Sequence, residues 1–142
     1  MSASALLVLG ICLSLQDTPP QAAVFVPGEH FTLAWTHSIE RQRWEEDYTV
    51  RPDPQPGTAV LHATAARVRG SAAGMEPPPD GRLIHGWYHY TPTETTPARL
   101  RLSRSAYVPD YERCDAAQGC LPLSHWLPSD GGVTVLTACV RP

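Results

Sequence analysis

The proline content limits what this chain can fold into. The sequence has 15 prolines in 142 residues, and most of them fall between short apolar runs. Proline lacks a backbone N–H donor and interrupts both helix interiors and central strands, so it favours short elements divided by stiff loops. The apolar runs alternate with polar residues at every second position, as half-buried strands do. The sequence therefore predicts an all-β domain without long helices.

Six segments show the strand pattern, and the clearest is the one in which Phe31, Leu33 and Trp35 share a face. The six segments are residues 31–36, 44–51, 58–68, 82–90, 99–104 and 132–140. Strands at such spacings predict a single antiparallel β-sandwich or small barrel of about 6–8 short strands. A chain of 142 residues has room for one such domain.

The N-terminus carries an apolar run over residues 5–15. This run is too short for a membrane-spanning helix of roughly 20 residues and matches the apolar region of an export signal. We therefore expect residues 1–23 to be a signal peptide or N-terminal anchor and residues 24–142 to form a single β domain. The domain would be exported, in the periplasm or on the outer face of the cytoplasmic membrane, and would touch the membrane only through its N-terminus. A buried strand is the alternative for the run, and lipidation of Cys12 is less favoured because bulky Ile11 precedes it.

Export would place the cysteines in an oxidising compartment. Cys114 and Cys120 flank a gap of five residues in which Gly119 can make a turn, so we expect a disulfide between them. Such a short loop contributes on the order of 2 kcal/mol by chain entropy. The spacing does not match redox or zinc motifs, so no metal is predicted there. Cys139 is expected to be a buried small hydrophobe with a free thiol, and pairing with another molecule is the alternative.

Charge and motif composition argue against several function classes. The net charge of −3, with 11 basic residues against 14 acids, lacks the basic field of a nucleic-acid binder. His85 and His89 on one strand would lie roughly 13 Å apart, too far for one metal ion. No phosphate-binding or dinucleotide motif is present, so no cofactor is predicted. Four arginines are expected to protect a sheet edge, and the alternative is that they line a mouth and meet a carboxylate: Arg99, Arg101, Arg104 and Arg113.

The candidate site lies in a hairpin between residues 31–37 and 46–50. The apolar faces of its two strands coincide only when the numbers of paired residues add to an odd number. A sum of 83 is such a register, and it predicts that Trp35 lies opposite Tyr48 and His37 opposite Glu46. The Cβ atoms of His37 and Glu46 would then be roughly 5 Å apart. Such a pair suits ligand binding or acid–base chemistry, and a structural ion pair is the alternative. Ser38 would point to the other face, away from His37 as a base.

The loop at residues 69–81 places small residues before a rigid proline run. A stiff loop loses little entropy on binding, so a preorganised contact surface is one interpretation and an ordinary surface loop is the other. Combined with the hairpin, it gives the predicted ligand- or partner-binding set: Trp35, His37, Glu46, Tyr48, Gly70, Ser71, Met75, Glu76 and Trp87.

Several blocks occur in a distinctive order, and together they resemble one known family. The blocks are Trp-Thr-His-Ser-Ile-Glu (35–40), Trp-Glu-Glu-Asp-Tyr (44–48), Gly-Ser-Ala-Ala-Gly-Met-Glu-Pro-Pro (70–78), Gly-Trp-Tyr-His-Tyr (86–90) and Cys-x5-Cys (114–120). Over residues 30 to about 123 the chain resembles the domain of unknown function 1850 family of small exported bacterial proteins. One departure is Ala72-Ala73, where a second glycine is expected. The resemblance assigns no catalytic residues.

Family members commonly occur beside genes for TRAP transporters of the TAXI type, which move organic acids with a periplasmic receptor and a membrane permease. The resemblance therefore implies an exported, non-enzymatic accessory protein that binds a transporter component or its organic-acid solute. A free-standing periplasmic small-ligand-binding protein is the first alternative. The second is a hydrolase that uses Glu46 with His37, for which Glu45 and Glu76 are further candidate acids.

Overall fold

A computed structural model of the chain describes residues 6–37, 41–70 and 80–142. Within these residues the backbone forms eleven strands and two single-turn 3-10 helices, with no α-helix. The strands are β1 (Val8–Leu15), β2 (Val24–Pro27), β3 (His30–Thr36), β4 (Arg43–Pro52), β5 (Ala59–Arg69), β6 (Arg82–Ile84), β7 (Trp87–Tyr90), β8 (Leu100–Ser103), β9 (Glu112–Asp115), β10 (Gly119–Pro122) and β11 (Val133–Arg141).

Two antiparallel sheets pack against each other, which confirms the predicted all-β fold. The smaller sheet has the order β2-β1-β11-β8, and the larger has the order β10-β9-β3-β4-β5-β7-β6. The strands outnumber the predicted set because β1, β2, β9 and β10 were not among the six segments, and because residues 82–90 form two strands. The larger sheet contains the whole of the candidate site hairpin.

The core forms where the inner faces of the two sheets meet. Apolar residues from both sheets are at most 1% exposed there: Ile11, Leu13 and Leu136 from the smaller sheet, and Leu33, Val50 and Leu61 from the larger. Full burial of one such side chain stabilises the fold by about 1.5–3 kcal/mol. This shared layer fixes which face of β3, β4 and β5 points inward.

The N-terminal apolar run is part of this fold. Strand β1 pairs with β11 along its whole length and with β2 on its other side. Residues 8–15 of the run thus form a strand of the sheet, which is the alternative arrangement. The expected boundary between signal segment and domain, after residue 23, falls between two paired strands of one sheet. A signal or anchor role for residues 1–23 stays a prediction. In the described part of the chain, no helix has the length and apolar character needed to cross a membrane.

The four cysteines form two disulfide bonds. Cys114 and Cys120 are bonded across the β9–β10 hairpin, as predicted, and Gly119 makes the turn with a φ of +70°. The expectation of a free thiol at Cys139 is wrong, because Cys139 is bonded to Cys12 on the neighbouring strand. That expectation follows from treating residues 1–23 as a signal peptide, because removal of this segment would leave Cys139 without Cys12 as a partner. Both disulfides are consistent with an exported protein.

Strand β5 changes its buried parity partway along. Leu61 and Ala63 face the core in its first half, and Ala66 and Val68 do so in its second half. Tyr48 pairs with Ala63 and Asp47 with Ala65, so the ladder shifts by one residue. Such a bulge turns the following side chains to the opposite parity. This explains the mixed pattern of the segment, and it places the short Ala66 beside the candidate site.

The segment 82–90 is a hairpin and not one strand. His85 and Gly86 form its turn with φ values of +51° and +84°. A two-residue turn with positive φ at both positions matches the twist of paired strands. Ile84 therefore pairs with Trp87, and His85 leaves the strand that carries Trp87 and His89.

Arg101 is exposed on edge strand β8, where its expected protective role stays a prediction, and the expected edge position is wrong for Arg104 and Arg113. Arg104 is 3% exposed and donates to both carboxylate oxygens of Asp110 at 2.9 Å. Arg113 is 2% exposed and forms an ion pair with Asp115. Neither guanidinium faces a strand edge, because each closes an interior ion pair.

Candidate functional site

The register of the β3–β4 hairpin decides which side chains meet. Trp35 pairs with Trp44, and Leu33 pairs with Glu46. The sum of paired numbers is odd, as predicted, so the two apolar faces coincide. The register itself is shifted by four residues from the predicted one, and the pairing of His37 with Glu46 is wrong. The chain turns back earlier than expected, with the His37 amide donating to the Gln42 carbonyl at 3.0 Å.

Five aromatic residues surround Glu46 on the inner side of the larger sheet. We call this set the aromatic face: Trp35, Trp44, Tyr48, Tyr90 and Tyr111. The rings of Trp35 and Trp44 are stacked with centroids 6.2 Å apart, and Tyr111 lies 5.9 Å from Trp35. Tyr90 meets Trp44 edge-on at 6.3 Å. Neighbouring rings at these distances attract one another and hold a fixed wall.

Strand order explains why these rings converge on Glu46. Trp44 and Tyr48 are two residues away on the same strand and therefore share its face. Ala66 pairs with Glu46 on one side and with Tyr90 on the other. Because Ala66 carries only a methyl group, the space between the carboxylate and the Tyr90 ring is not filled by β5.

Glu46 is half-buried and its environment is mainly apolar. Burial raises the pKa of the Glu46 carboxyl, and a hydrogen bond from the Tyr48 hydroxyl, 2.8 Å away, opposes that rise. Burial, together with the charge of Glu46, raises the pKa of Tyr90 to about 12. Burial also raises the pKa of Tyr48, and the nearby carboxylate adds to that effect. Both hydroxyls therefore stay protonated at neutral pH.

The opposite face of the same strands is highly charged. Arg67 binds Glu45 at 2.7 Å and Asp47 at 3.0 Å, and Arg43 binds Glu45 at 2.8 Å and Glu112 at 2.6 Å. Arg67 and Thr32 lower the pKa of the Asp47 carboxyl, despite its partial burial. Glu45 and Glu46 thus point to opposite faces of the sheet, so they do not form a carboxylate pair.

A shallow groove of about 510 Å³ lies on this charged face. Its polar walls come from β3, β4 and β5 and from the disulfide hairpin: His30, Thr32, Asp47, Thr49, Thr64, Arg67 and Asp115. A volume of this size is within the range of small-molecule sites. The ion pair between Arg67 and Asp47 occupies one of its walls.

The structure brings together three of the predicted site residues: Trp35, Glu46 and Tyr48. His37 lies at the border of the aromatic face, with its ring 6.5 Å from that of Trp44. Trp87 is on the opposite face, where the Arg69 guanidinium lies 5.5 Å from its ring. The assignment of these five predicted residues to ligand or partner binding stays a prediction.

The predicted loop lies mostly outside the described residues. Gly70 is described, with a φ of +96° and its amide bonded to the Gly86 carbonyl at 2.7 Å. Ser71, Met75 and Glu76 fall within residues 71–79, which the structure does not describe.

Sequence reasoning missed three members of the aromatic face. Trp44 was assigned to the correct face of β4, and the shifted register hid its contact with Trp35. Tyr90 lies on a strand whose two faces are both aromatic, so alternation could not select the inner one. Tyr111 immediately precedes β9, a strand too short to give a signal of its own.

Ionisation of Glu46 is expected to lower the stability of the fold. Because the raised pKa favours the protonated carboxyl in the folded state, stability falls as pH rises from the ordinary value of 4.5 through the folded pKa. Glu46→Gln should therefore be more stable than the unmodified protein at pH 7, and this gain should shrink at pH 4. Urea unfolding at both pH values measures the difference.

Glu94→Gln is the matched control, because Glu94 is exposed and is not a member of the aromatic face. It should unfold like the unmodified protein at pH 7. A Glu46→Gln variant that is less stable than the Glu94→Gln variant at pH 7 would contradict the expected burial penalty.

Fold and site together define an all-β sandwich domain with an acid-containing aromatic face on its larger sheet. Residues 31–123 match the family model described as "Domain of unknown function (DUF1850)". The chain belongs to this family, and the matched range covers β3 to β10 with the whole aromatic face. No curated protein and no solved structure matches the chain.

Proposed function

We propose that this protein is an exported, non-enzymatic accessory module of a TRAP-type organic-acid transport system, and that its aromatic face binds a protein component of that system. The observation that carries the proposal is the set of aromatic residues around Glu46, of which four are half-buried and only Tyr48 is fully buried. Aromatic side chains of this kind are enriched at protein interfaces, where they supply large contact areas. The transport context comes from the family resemblance.

Charge favours a transporter component over the organic-acid solute as the direct partner of this face. The carboxylate of an organic acid would meet the Glu46 carboxylate, and like charges in a desolvated site repel strongly. Arg43 on β4 and Arg67 on β5 are held by acids on the opposite face. They are therefore not placed to neutralise an anion beside Glu46.

Association with the receptor or the permease tests this proposal. The unmodified protein should retain one of these components on an affinity column, and Tyr90→Ala should lose most of that retention because it removes one wall of the face. Tyr107→Ala is the matched control, since Tyr107 is 96% exposed and outside the aromatic face. Failure of the unmodified protein to retain either component, with and without solute, would refute the proposal.

The groove on the charged face favours a second candidate, a free-standing small-ligand-binding protein. Its polar walls offer hydroxyl, imidazole, guanidinium and carboxylate groups within a volume of about 510 Å³. A library of organic acids should then raise the melting temperature of the isolated protein. No stabilisation by any acid in the library would remove this candidate.

A further inference from the structure

We propose that the aromatic face takes up a cationic side chain, an arginine or lysine presented by the partner protein, with Glu46 as its counter-ion. This inference deepens the proposed function and rests on it for the identity of the partner. The chemistry of the site, however, depends only on the residues around Glu46.

Glu46 has no cationic partner among the described residues. Glu45, Asp47, Asp110 and Asp115 each form an ion pair with an arginine. Glu46 is half-buried like these acids, yet in the described residues no arginine or histidine lies within ion-pair distance of it. Its described hydrogen bond is the one from Tyr48. Burying a carboxylate without a cation is costly, and an arriving cation would offset that cost.

The aromatic rings near Glu46 also favour a cation. The face of an aromatic ring carries partial negative charge and attracts a cation within about 6 Å of its centroid. Trp44 lies on the Glu46 face of β4 and stacks on Trp35, and Tyr90 pairs with the residue that lies opposite Glu46 on β5. Rings and carboxylate together favour a positive group and disfavour a negative one. The burial that raises the pKa of Glu46 would be opposed by that positive group.

The residues around Glu46 suit an organic cation better than a metal ion. Metal ions of the calcium or magnesium class require several oxygen ligands, and the described residues contain no group of three or more His, Cys, Asp or Glu that could hold a metal ion. One carboxylate flanked by rings suits an organic cation with an apolar stem. Such a stem packs on apolar surface while its charged end pairs with an acid.

Room for the stem is available next to the rings. A cavity of about 210 Å³ opens beside Trp35 and Tyr111, and its remaining wall residues are Thr36, His37, Ser103, Val108 and Pro109. Tyr111 borders this cavity and also senses Glu46, whose charge contributes to its raised pKa. The cavity therefore adjoins the aromatic face through Trp35 and Tyr111.

The experiment uses N-acetyl-arginine amide and N-acetyl-lysine amide as probes and N-acetyl-citrulline amide as the matched uncharged probe. Binding is followed by NMR through the indole N–H signals of the full-length protein, in particular that of Trp44, whose indole nitrogen is buried without a described partner. The cationic probes should shift this signal in a saturable way, and citrulline should not. Glu46→Gln should weaken binding by about tenfold or more, whereas Glu94→Gln should leave it unchanged.

The outcomes separate this inference from the proposed function. Equal shifts with arginine and citrulline probes, no saturable shift, or unchanged binding in Glu46→Gln would overturn the cation site, even if the protein retains a transporter component. Saturable, Glu46-dependent binding without retention of any component would support the cation site and refute the transporter partner. Because Glu46→Gln is expected to be at least as stable as the unmodified protein, lost binding is not explained by unfolding.

Discussion

Replacing Cys12 and Cys139 together with alanine is expected to lower the free energy of unfolding by about 5 kcal/mol in the chain-entropy model. The bond joins residues 127 positions apart, so its loss frees nearly the whole unfolded chain. The loss is comparable to the entire stability of many small domains. Urea unfolding of the oxidised protein measures this difference, with intact mass confirming the Cys114–Cys120 bond in the variant.

The second disulfide supplies the matched control. Cys114 and Cys120 are only six positions apart, so their replacement with alanine should cost about 2 kcal/mol by the same model. The order of the two losses is the critical result. A smaller loss for the Cys12–Cys139 pair than for the Cys114–Cys120 pair would contradict the chain-entropy account of the longer loop.

Asp110→Asn is expected to destabilise the fold by about 3 kcal/mol, because it leaves a buried guanidinium without its counter-charge. The side chain of Arg104 is 1% exposed, and it donates to both Asp110 oxygens and to the Thr134 hydroxyl at 3.0 Å. Asp110 also accepts the Ser124 amide at 2.8 Å. Equilibrium unfolding in urea at pH 7 tests the size of the loss.

Asp17→Asn is the control for this substitution. Asp17 is exposed and has a φ of +68°, a conformation that asparagine also tolerates, so the change should stay within about 0.5 kcal/mol. Adding Arg104→Met to Asp110→Asn should recover part of the loss, since it removes the unpaired charge. If Asp110→Asn were as mild as Asp17→Asn, the buried ion pair would contribute little to stability.

Local pattern predicted the fold class and the inner face of the site strands. Alternation in Phe31, Leu33 and Trp35 identified the inner face of β3, and parity alone required an odd register with β4. Parity does not choose among odd registers, however, because every shift of two residues preserves the faces. The length of the turn after His37 decides this choice. The register error therefore separated Trp35 from Trp44 and joined His37 to Glu46.

Tertiary pairing determined what the local pattern could not. A short apolar run without alternation reads equally well as an export signal or a buried strand, and β1 pairs with a partner more than a hundred residues away. Ala66 reaches the site only after the bulge in β5. Arg104 and Arg113 look like surface residues by type, and their burial depends on Asp110 and Asp115. Each of these outcomes requires contacts that a sequence window does not contain.

The pairing of β1 with β11 also sets the order in which the protein can fold. Val8 lies opposite Arg141, so the central pair of the smaller sheet joins the first and last strands of the described chain. Contacts between such distant segments form slowly, because loop closure must be completed before they contribute. During synthesis the sandwich cannot close until β11 has emerged. The nascent chain therefore stays open until then, and the Cys12–Cys139 bond cannot form before β11 is available.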